Sequence, residues 1–218
     1  MGDVAPGDGL WLWYDLLATL ARLGEGRSLE ETAQTATRYS QPGRQDRLVK
    51  SLFGLANSEC QRGKKGAEGT GKNPTDKGKP GTKRHIVVER KGIPLVLKCT
   101  GANVADTTTL VEMVDAIPPL KSRRGRPRKR PDKMHADKGY DSKANRTALR
   151  KRGIIPRIAR RGRESSQKLE HHRWVVERTF AWLNRFRRLT IRYERRLDIH
   201  EAFLHLGCAF ICWSYLEK

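Results

Sequence analysis

The sequence predicts an α/β fold, a sheet covered by helices, and three observations carry that prediction. Two β-rich runs, 85–89 and 95–100, flank the stretch RKGIP at 90–94, which is the pattern of a hairpin. After the hairpin, segments of helical periodicity alternate with short β-rich runs, the order of helices packed on a sheet. The 218 residues are 37% hydrophobic, enough for one sizeable core in one or at most two domains.

The elements follow in chain order. Residues 9–23 (GLWLWYDLLATLARL) are apolar on more than one face and read as a helix. Residues 24–50 are polar, with a weaker helical stretch at 28–36, where Ser28 fits an N-cap and Glu31 completes a capping box. The apolar run 48–56 fits either a strand or a helix end. Residues 62–84 are rich in Gly, Lys and Pro and read as a loop. Its G-x-G-like spacings neither follow a clear strand nor open a helix, which argues against a nucleotide-binding loop. Residues 107–117 have helical periodicity and stop at Pro118 and Pro119. A basic loop, 121–131, comes next. Residues 134–136 form a short strand that delivers Asp137. A helix over 142–152 stops at Gly153, and 154–158 is another short strand. A long helix is predicted over 171–186 and a largely apolar one over 200–216. No internal repeat is apparent.

Composition narrows the classes. No run of about 18 apolar residues occurs, so no transmembrane helix is expected. No basic n-region followed by an apolar h-region opens the chain, so no secretory signal is expected. Cys60, Cys99, Cys208 and Cys212 lack zinc-finger or disulfide-scaffold spacing and read as reduced thiols of a cytoplasmic protein. The net charge is +21, and it is unevenly placed. Residues 1–60 carry 6 Lys and Arg against 8 Asp and Glu, whereas residues 61–218 carry 39 against 16. The excess comes in blocks at 62–84, 121–130 and 150–163. Like charges repel unless a counter-charge arrives, and the phosphate backbone of nucleic acid supplies one.

Among so many cations, two acids stand out. Asp137 ends a short strand, and Glu177 lies in a helix beside the apolar residues Trp174, Val175, Phe180 and Leu183. Each has a plain alternative: Asp137 as a turn cap, Glu177 as an ion-pair partner of Arg173 at i−4. Asp141 reads as the cap of the helix near Ser142. The functional reading is a pair of carboxylates that hold magnesium, or manganese, against DNA phosphates, because hard oxygen ligands suit these ions. Trp174 and Trp182 read as core, His200 and His205 as packing or capping residues, and Cys208 and Cys212 as a core pair on one helix face. His135 shares a strand face with Asp137 and reads as a neighbour only.

A set of stretches is more specific than any of these. They are GKNPTDKG at 71–78, GTKRH at 81–85, GIPL at 92–95, GANVAD at 101–106, RGRPR at 124–128, ADKGYD at 136–141, RWVVER at 173–178, RRL at 187–189, RYE at 192–194 and IHEAF at 199–203. In these the chain resembles insertion-sequence transposases of the acidic-triad (Asp-Asp-Glu) type, in that family's order from residue 57 to 216. The resemblance implies a ribonuclease H-like mixed sheet flanked by helices over 51–218, with a short helical or irregular N-terminal segment at 1–50. It implies cleavage and strand transfer at insertion-sequence ends by two-metal phosphoryl transfer. It makes Asp137 the second acid and Glu177 the third, with 39 residues between them. The first acid falls at Asn57, a neutral amide among the three expected metal ligands. Glu59 would share a strand face with residue 57 but sits two residues away. The resemblance further implies DNA contacts through Arg124, Arg126, Arg128, Lys138, Arg173 and Arg178. Double-stranded DNA, as element end and as target, is the expected partner, and a homo-oligomer is compatible with that role. The expected location is cytoplasmic, at the nucleoid when DNA is bound. The N-terminal residues match the family less well than the rest, as in a truncated or degenerate copy. With Asn57 in the first position, a non-catalytic DNA-binding protein derived from a transposase is the alternative.

Binding to duplex DNA is expected to be tight at low salt and largely independent of sequence. Log affinity should fall against log salt by about 0.9 for each phosphate neutralised. An anisotropy titration across salt concentrations checks this, and a flat response would remove the basic blocks as a DNA surface.

Overall fold

The computed structural model describes residues 52–57, 61–62, 66–118, 130–160 and 167–216. The expected helices at 9–23 and 28–36 and most of the basic loop 121–131 lie outside the described residues. Among the described residues, seven strands form one mixed sheet: β1 (Leu52–Asn57), β2 (Gln61–Arg62), β3 (Gly71–Lys72), β4 (Pro80–Val88), β5 (Pro94–Gly101), β6 (Lys133–Ala136) and β7 (Ile155–Ile158). Its five main strands lie in the order β5, β4, β1, β6, β7. β4 is antiparallel to both β1 and β5, whereas β1, β6 and β7 are parallel to one another. The short strands β2 and β3 pair with the first residues of β4. Among the described residues, five α-helices accompany the sheet: α1 (Leu110–Asp115), α2 (Lys143–Lys151), α3 (Gln167–Arg185), α4 (Arg187–Thr190) and α5 (Leu197–Leu216). The coarse prediction of a sheet covered by helices is borne out.

Alternation along β4 builds two cores, because successive strand residues face opposite sides. Val87 joins Val96, Leu110, Met113, Met134, Ala136, Leu149 and Ile158 under α1 and α2. Ile86 and Val88 join Cys99, Val176, Phe180, Leu183, Leu204 and Cys208 under α3 and α5. The apolar character of α5 on several faces is thereby explained in part: one face covers β5, and Cys208 is a buried thiol of that core. No helix among the described residues is long and apolar enough to cross a membrane.

The expected loop at 62–84 is corrected. Its last residues belong to β4, and two short strands interrupt the rest. Polar residues occupy a buried strand here because each finds a distant partner. Nη1 of Arg192 donates to the Thr82 hydroxyl at 2.6 Å. Lys83 pairs with Asp106 at 2.9 Å. Arg84 donates to the Asn184 side chain at 2.9 Å and to the Leu189 carbonyl at 3.2 Å. Burial lowers the Arg84 guanidinium to about 10. Tertiary pairing therefore outweighs a composition that favours loops.

Local signals place the remaining boundaries. Gly92 turns the β4–β5 hairpin at φ +87°, and Gly153 ends α2 at φ +74°. Ser142, rather than Asp141, caps α2: its hydroxyl accepts the Asn145 N–H at 3.0 Å. Asp141 instead pairs with Arg146 at 2.8 Å. α3 lies close on β1 because Gly54 leaves room for Val176: a Cβ added at Gly54 would stand 2.6 Å from the Val176 Cγ2.

Replacing Gly54 by Val is expected to destabilise the fold by about 1–3 kcal/mol, since the β-branched Val176 cannot swing aside. Chemical denaturation measures it. A second expectation concerns acid. Burial pushes the His85 and His205 imidazoles down to about 4. The folded chain then binds fewer protons than the unfolded one between about pH 4 and 6.5. Stability should be full above pH 6.5 and fall as the pH drops through that window, by on the order of 2 kcal/mol for each histidine. Thermal melts at pH 7 and pH 5 test the direction, and a His205→Gln variant should show the smaller fall.

Candidate active site

The parallel pairing of β1 with β6 sets the site. Leu55 is opposite Ala136, so Asn57 and Asp137 leave the same end of adjacent strands. The backbone of Asn57 also pairs with that of His85 on β4. Asp137 opens a short 3-10 turn, Lys138–Tyr140. Its carboxylate accepts the Lys138 N–H at 2.7 Å, and its carbonyl accepts the Tyr140 N–H at 3.0 Å. The capping role foreseen as the plain alternative for Asp137 is therefore present. A capping carboxylate keeps oxygen lone pairs for other partners, so the cap does not exclude a ligand role.

Glu177 is exposed and sits on α3, and the helix contacts show which way it faces. Val176, Phe180 and Leu183 face the sheet. Successive helix residues are offset by about 100°, so Val175, Thr179 and Trp182 form one flank and Glu177 and Asn184 the other. The first flank is fastened to the β4–β5 turn. The Thr179 hydroxyl donates to the Gly92 carbonyl at 2.8 Å, and Nη2 of Arg178 to the Lys91 carbonyl at 2.5 Å. That turn lies where β1 begins, because Gly54 is opposite Val88. On the second flank, Asn184 accepts from Arg84, which lies just past the partner of Asn57, where β1 ends. Glu177 therefore occupies the flank of α3 away from the hairpin turn.

The basic candidates separate. Arg178 is stacked between Trp174 and Trp182, its Cζ 4.4 Å and 4.8 Å from the ring centroids, and is committed to the hairpin turn on the flank away from Glu177. Lys138 is half-buried within the Asp137 turn. Arg124, Arg126 and Arg128 lie outside the described residues, as does the side chain of Arg173. Trp174 departs from its expected core position: it is 47% exposed, and its ring covers the Arg178 guanidinium. Trp182 packs edge-on against Tyr215, centroids 5.9 Å apart. His200 is fully buried, with Nδ1 3.2 Å from a Glu194 carboxylate oxygen, as a packing residue would be.

Sequence reasoning assigned no role to four residues near the strand ends. Lys83 and Asp106 form a half-buried pair, and the Asp106 carboxylate lies against Gly139, 2.6 Å from where a Cβ would stand. His85 and Tyr140 are fully buried partners, their Nδ1 and hydroxyl 2.7 Å apart. Burial raises the Tyr140 hydroxyl well above its ordinary range, so it stays protonated. The only signal in the sequence was that all four fall inside the stretches GTKRH, GANVAD and ADKGYD.

Among the described residues, no three His, Cys, Asp or Glu converge into a metal-ligating group. The donor chemistry of Asp137 and Glu177 still suits magnesium, which binds through one or two carboxylates together with water and substrate phosphate. The amide at Asn57 adds a neutral oxygen where a third charge would otherwise stand.

Comparison with known proteins identifies the family. The family described as "Transposase DDE domain" matches residues 37–212. A Burkholderia cepacia protein assigned as the transposase for insertion sequence element IS402 is 49% identical over 209 residues, covering 95% of this chain and 97% of that one. The alignment thus extends well into the residues before β1. Among solved structures, a chain of the simian T-cell lymphotropic virus intasome in complex with PP2A regulatory subunit B56 gamma is 11% identical, with a TM-score of 0.38. That match covers 73% of this chain and 49% of the other, so the chain spans about half its length. The extent of the family match and the near-complete alignment with the IS402 protein show that this chain belongs to the DDE-domain transposases of insertion sequences.

Proposed function

We propose that this transposase cuts and joins DNA at the ends of an insertion sequence through a ribonuclease H-like domain, with Asp137 and Glu177 as metal ligands and Asn57 in the first acidic position. The observation that carries the reading is the shared strand end, which residues 57 and 137 leave side by side; Glu177, exposed on the α3 flank opposite the hairpin clamp, is compatible with it. In the first step water attacks a phosphodiester at the element end, the P–O bond breaks, and the 3′ oxygen leaves as a hydroxyl. In the second, that 3′ hydroxyl attacks a target phosphodiester and displaces a target 3′ oxygen. Both are in-line transfers in which negative charge builds on entering and leaving oxygens.

Magnesium or manganese, held by Asp137 and Glu177, would supply Lewis-acid stabilisation of that charge. The protein's own part is positioning. The capped turn fixes Asp137, and the hairpin clamp on α3 fixes the rotation of Glu177. Arg124, Arg126, Arg128, Lys138 and Arg173 bind DNA phosphates. Arg178 contributes by holding α3 to the hairpin.

The second reading, a DNA-binding protein without catalysis, is favoured by one observation: Asn57 removes a negative charge from a site that must offset about four positive ones. A magnesium- or manganese-dependent nicking assay separates the two. Asn57→Asp is expected to raise nicking by about tenfold or more, equivalent to about 1.4 kcal/mol of barrier. Asp137→Ala should abolish it in either background, and duplex binding should be unchanged throughout. Equal rates for wild type and Asn57→Asp would show that residue 57 is not the first acidic position.

A further inference from the structure

One buried polar pair stands at the strand ends and takes no part in the chemistry above. His85 and Tyr140 are both fully buried. Nδ1 of His85 lies 2.7 Å from the Tyr140 hydroxyl, and Nε2 lies 2.8 Å from the Thr100 hydroxyl. The two rings meet edge-on at 76°. A neutral imidazole has one donor and one acceptor, so it links both hydroxyls into a single chain from β5 through β4 to the turn after β6.

Most of this core is aliphatic, with Val87, Met134 and Leu149 among its members, and the buried polar residues Thr109 and Asn145 gather around Tyr140. An apolar pair would fill the same space without desolvating two polar groups. The polar pair occurs only where the sheet gives way to the candidate site. His85 is the backbone partner of Asn57. Tyr140 closes the turn that begins at Asp137, through its N–H to the Asp137 carbonyl at 3.0 Å. Its own carbonyl accepts from the Asn145 side chain at 2.9 Å. An aromatic ring held by packing alone can slide, whereas a hydrogen bond fixes both distance and direction.

We propose that the His85–Tyr140 hydrogen bond is a positioning device: it locks the Asp137 turn to the strand opposite residue 57 and so sets the spacing of the acids that take the divalent ion. The inference rests on the reading of Asp137 and Glu177 as ion ligands, and the test keeps the two apart.

Manganese binding to the full-length chain, followed by electron paramagnetic resonance without DNA, is the readout. Four proteins are compared: wild type, Asp137→Ala, Tyr140→Phe and Leu149→Ala. Tyr140→Phe deletes only the hydroxyl. It should remain folded by circular dichroism and lose about tenfold in manganese affinity, as outer partners of a metal site do. Leu149→Ala loosens the same core without touching the hydrogen-bond chain. It should lower the Tm and leave manganese affinity within about twofold. If Asp137→Ala binds manganese like wild type, or wild type binds none, the ligand reading falls and this inference with it. If Asp137→Ala loses the ion while Tyr140→Phe does not, the ligand reading stands and the positioning role is overturned. Equal losses in Tyr140→Phe and Leu149→Ala would make the pair ordinary core packing and overturn it too. Should Tyr140→Phe not fold, Thr100→Val, which unhooks the far end of the chain, replaces it. Unchanged affinity in that variant overturns the proposal.

Discussion

The structure depends on one strand. β4 is paired on both edges and covered on both faces, and every residue from Arg84 to Glu89 is buried. A strand in that position tolerates no unsatisfied polar group, since each would cost about 1–3 kcal/mol. Its polar members are therefore anchors for distant segments. Thr82 takes the Arg192 guanidinium, Arg84 takes Asn184 and the Leu189 carbonyl, and His85 takes Tyr140. The two layers of helices are registered to each other through this strand. A shift of one residue in β4 would exchange the two cores and break all three anchors together.

The candidate site draws on that registration from both sides. Asp137 comes from the layer that Val87 and Tyr140 organise, and Glu177 from the layer that Ile86 and Val88 organise. On the proposed reading, each helix layer supplies one of the two acids. The clamp of Thr179 and Arg178 on the hairpin turn sets the rotation of α3, and the close contact of Val176 over Gly54 sets its height. The acids are thus held by backbone geometry and by interactions remote from them. This suits a reaction whose protein contribution is chiefly placement of charge.

Much of this was legible in the sequence where periodicity and breakers act locally. The hairpin, the strand ending at Asp137, the helix between Ser142 and Gly153 and the two C-terminal helices occur within a few residues of their expected places. The misses share one cause, which is that particular side-chain contacts, and not the local pattern, decided the outcome. Arg84 and Thr82 read as loop residues because nothing near them in sequence offers a partner. Trp174 read as core because helical spacing cannot tell a buried ring from one lying over Arg178. Asp141 read as a cap because a carboxylate and a hydroxyl compete for that place, and Arg146 draws the carboxylate away. His85 and Tyr140 lie 55 residues apart, so only the fold brings them together.

The layering also has a consequence for synthesis. Among the described residues, 52–158 contain every strand of the sheet, and the face made by Ile86, Val88 and Cys99 is covered by helices after residue 167. While the ribosome is still making those helices, a nearly finished sheet carries one bare apolar side. Products that stop early, through a frameshift or a broken message, keep that side bare and become substrates for chaperones and proteases. Interrupted copies of the gene would in this way remove their own products, and only chains that reach α5 would persist.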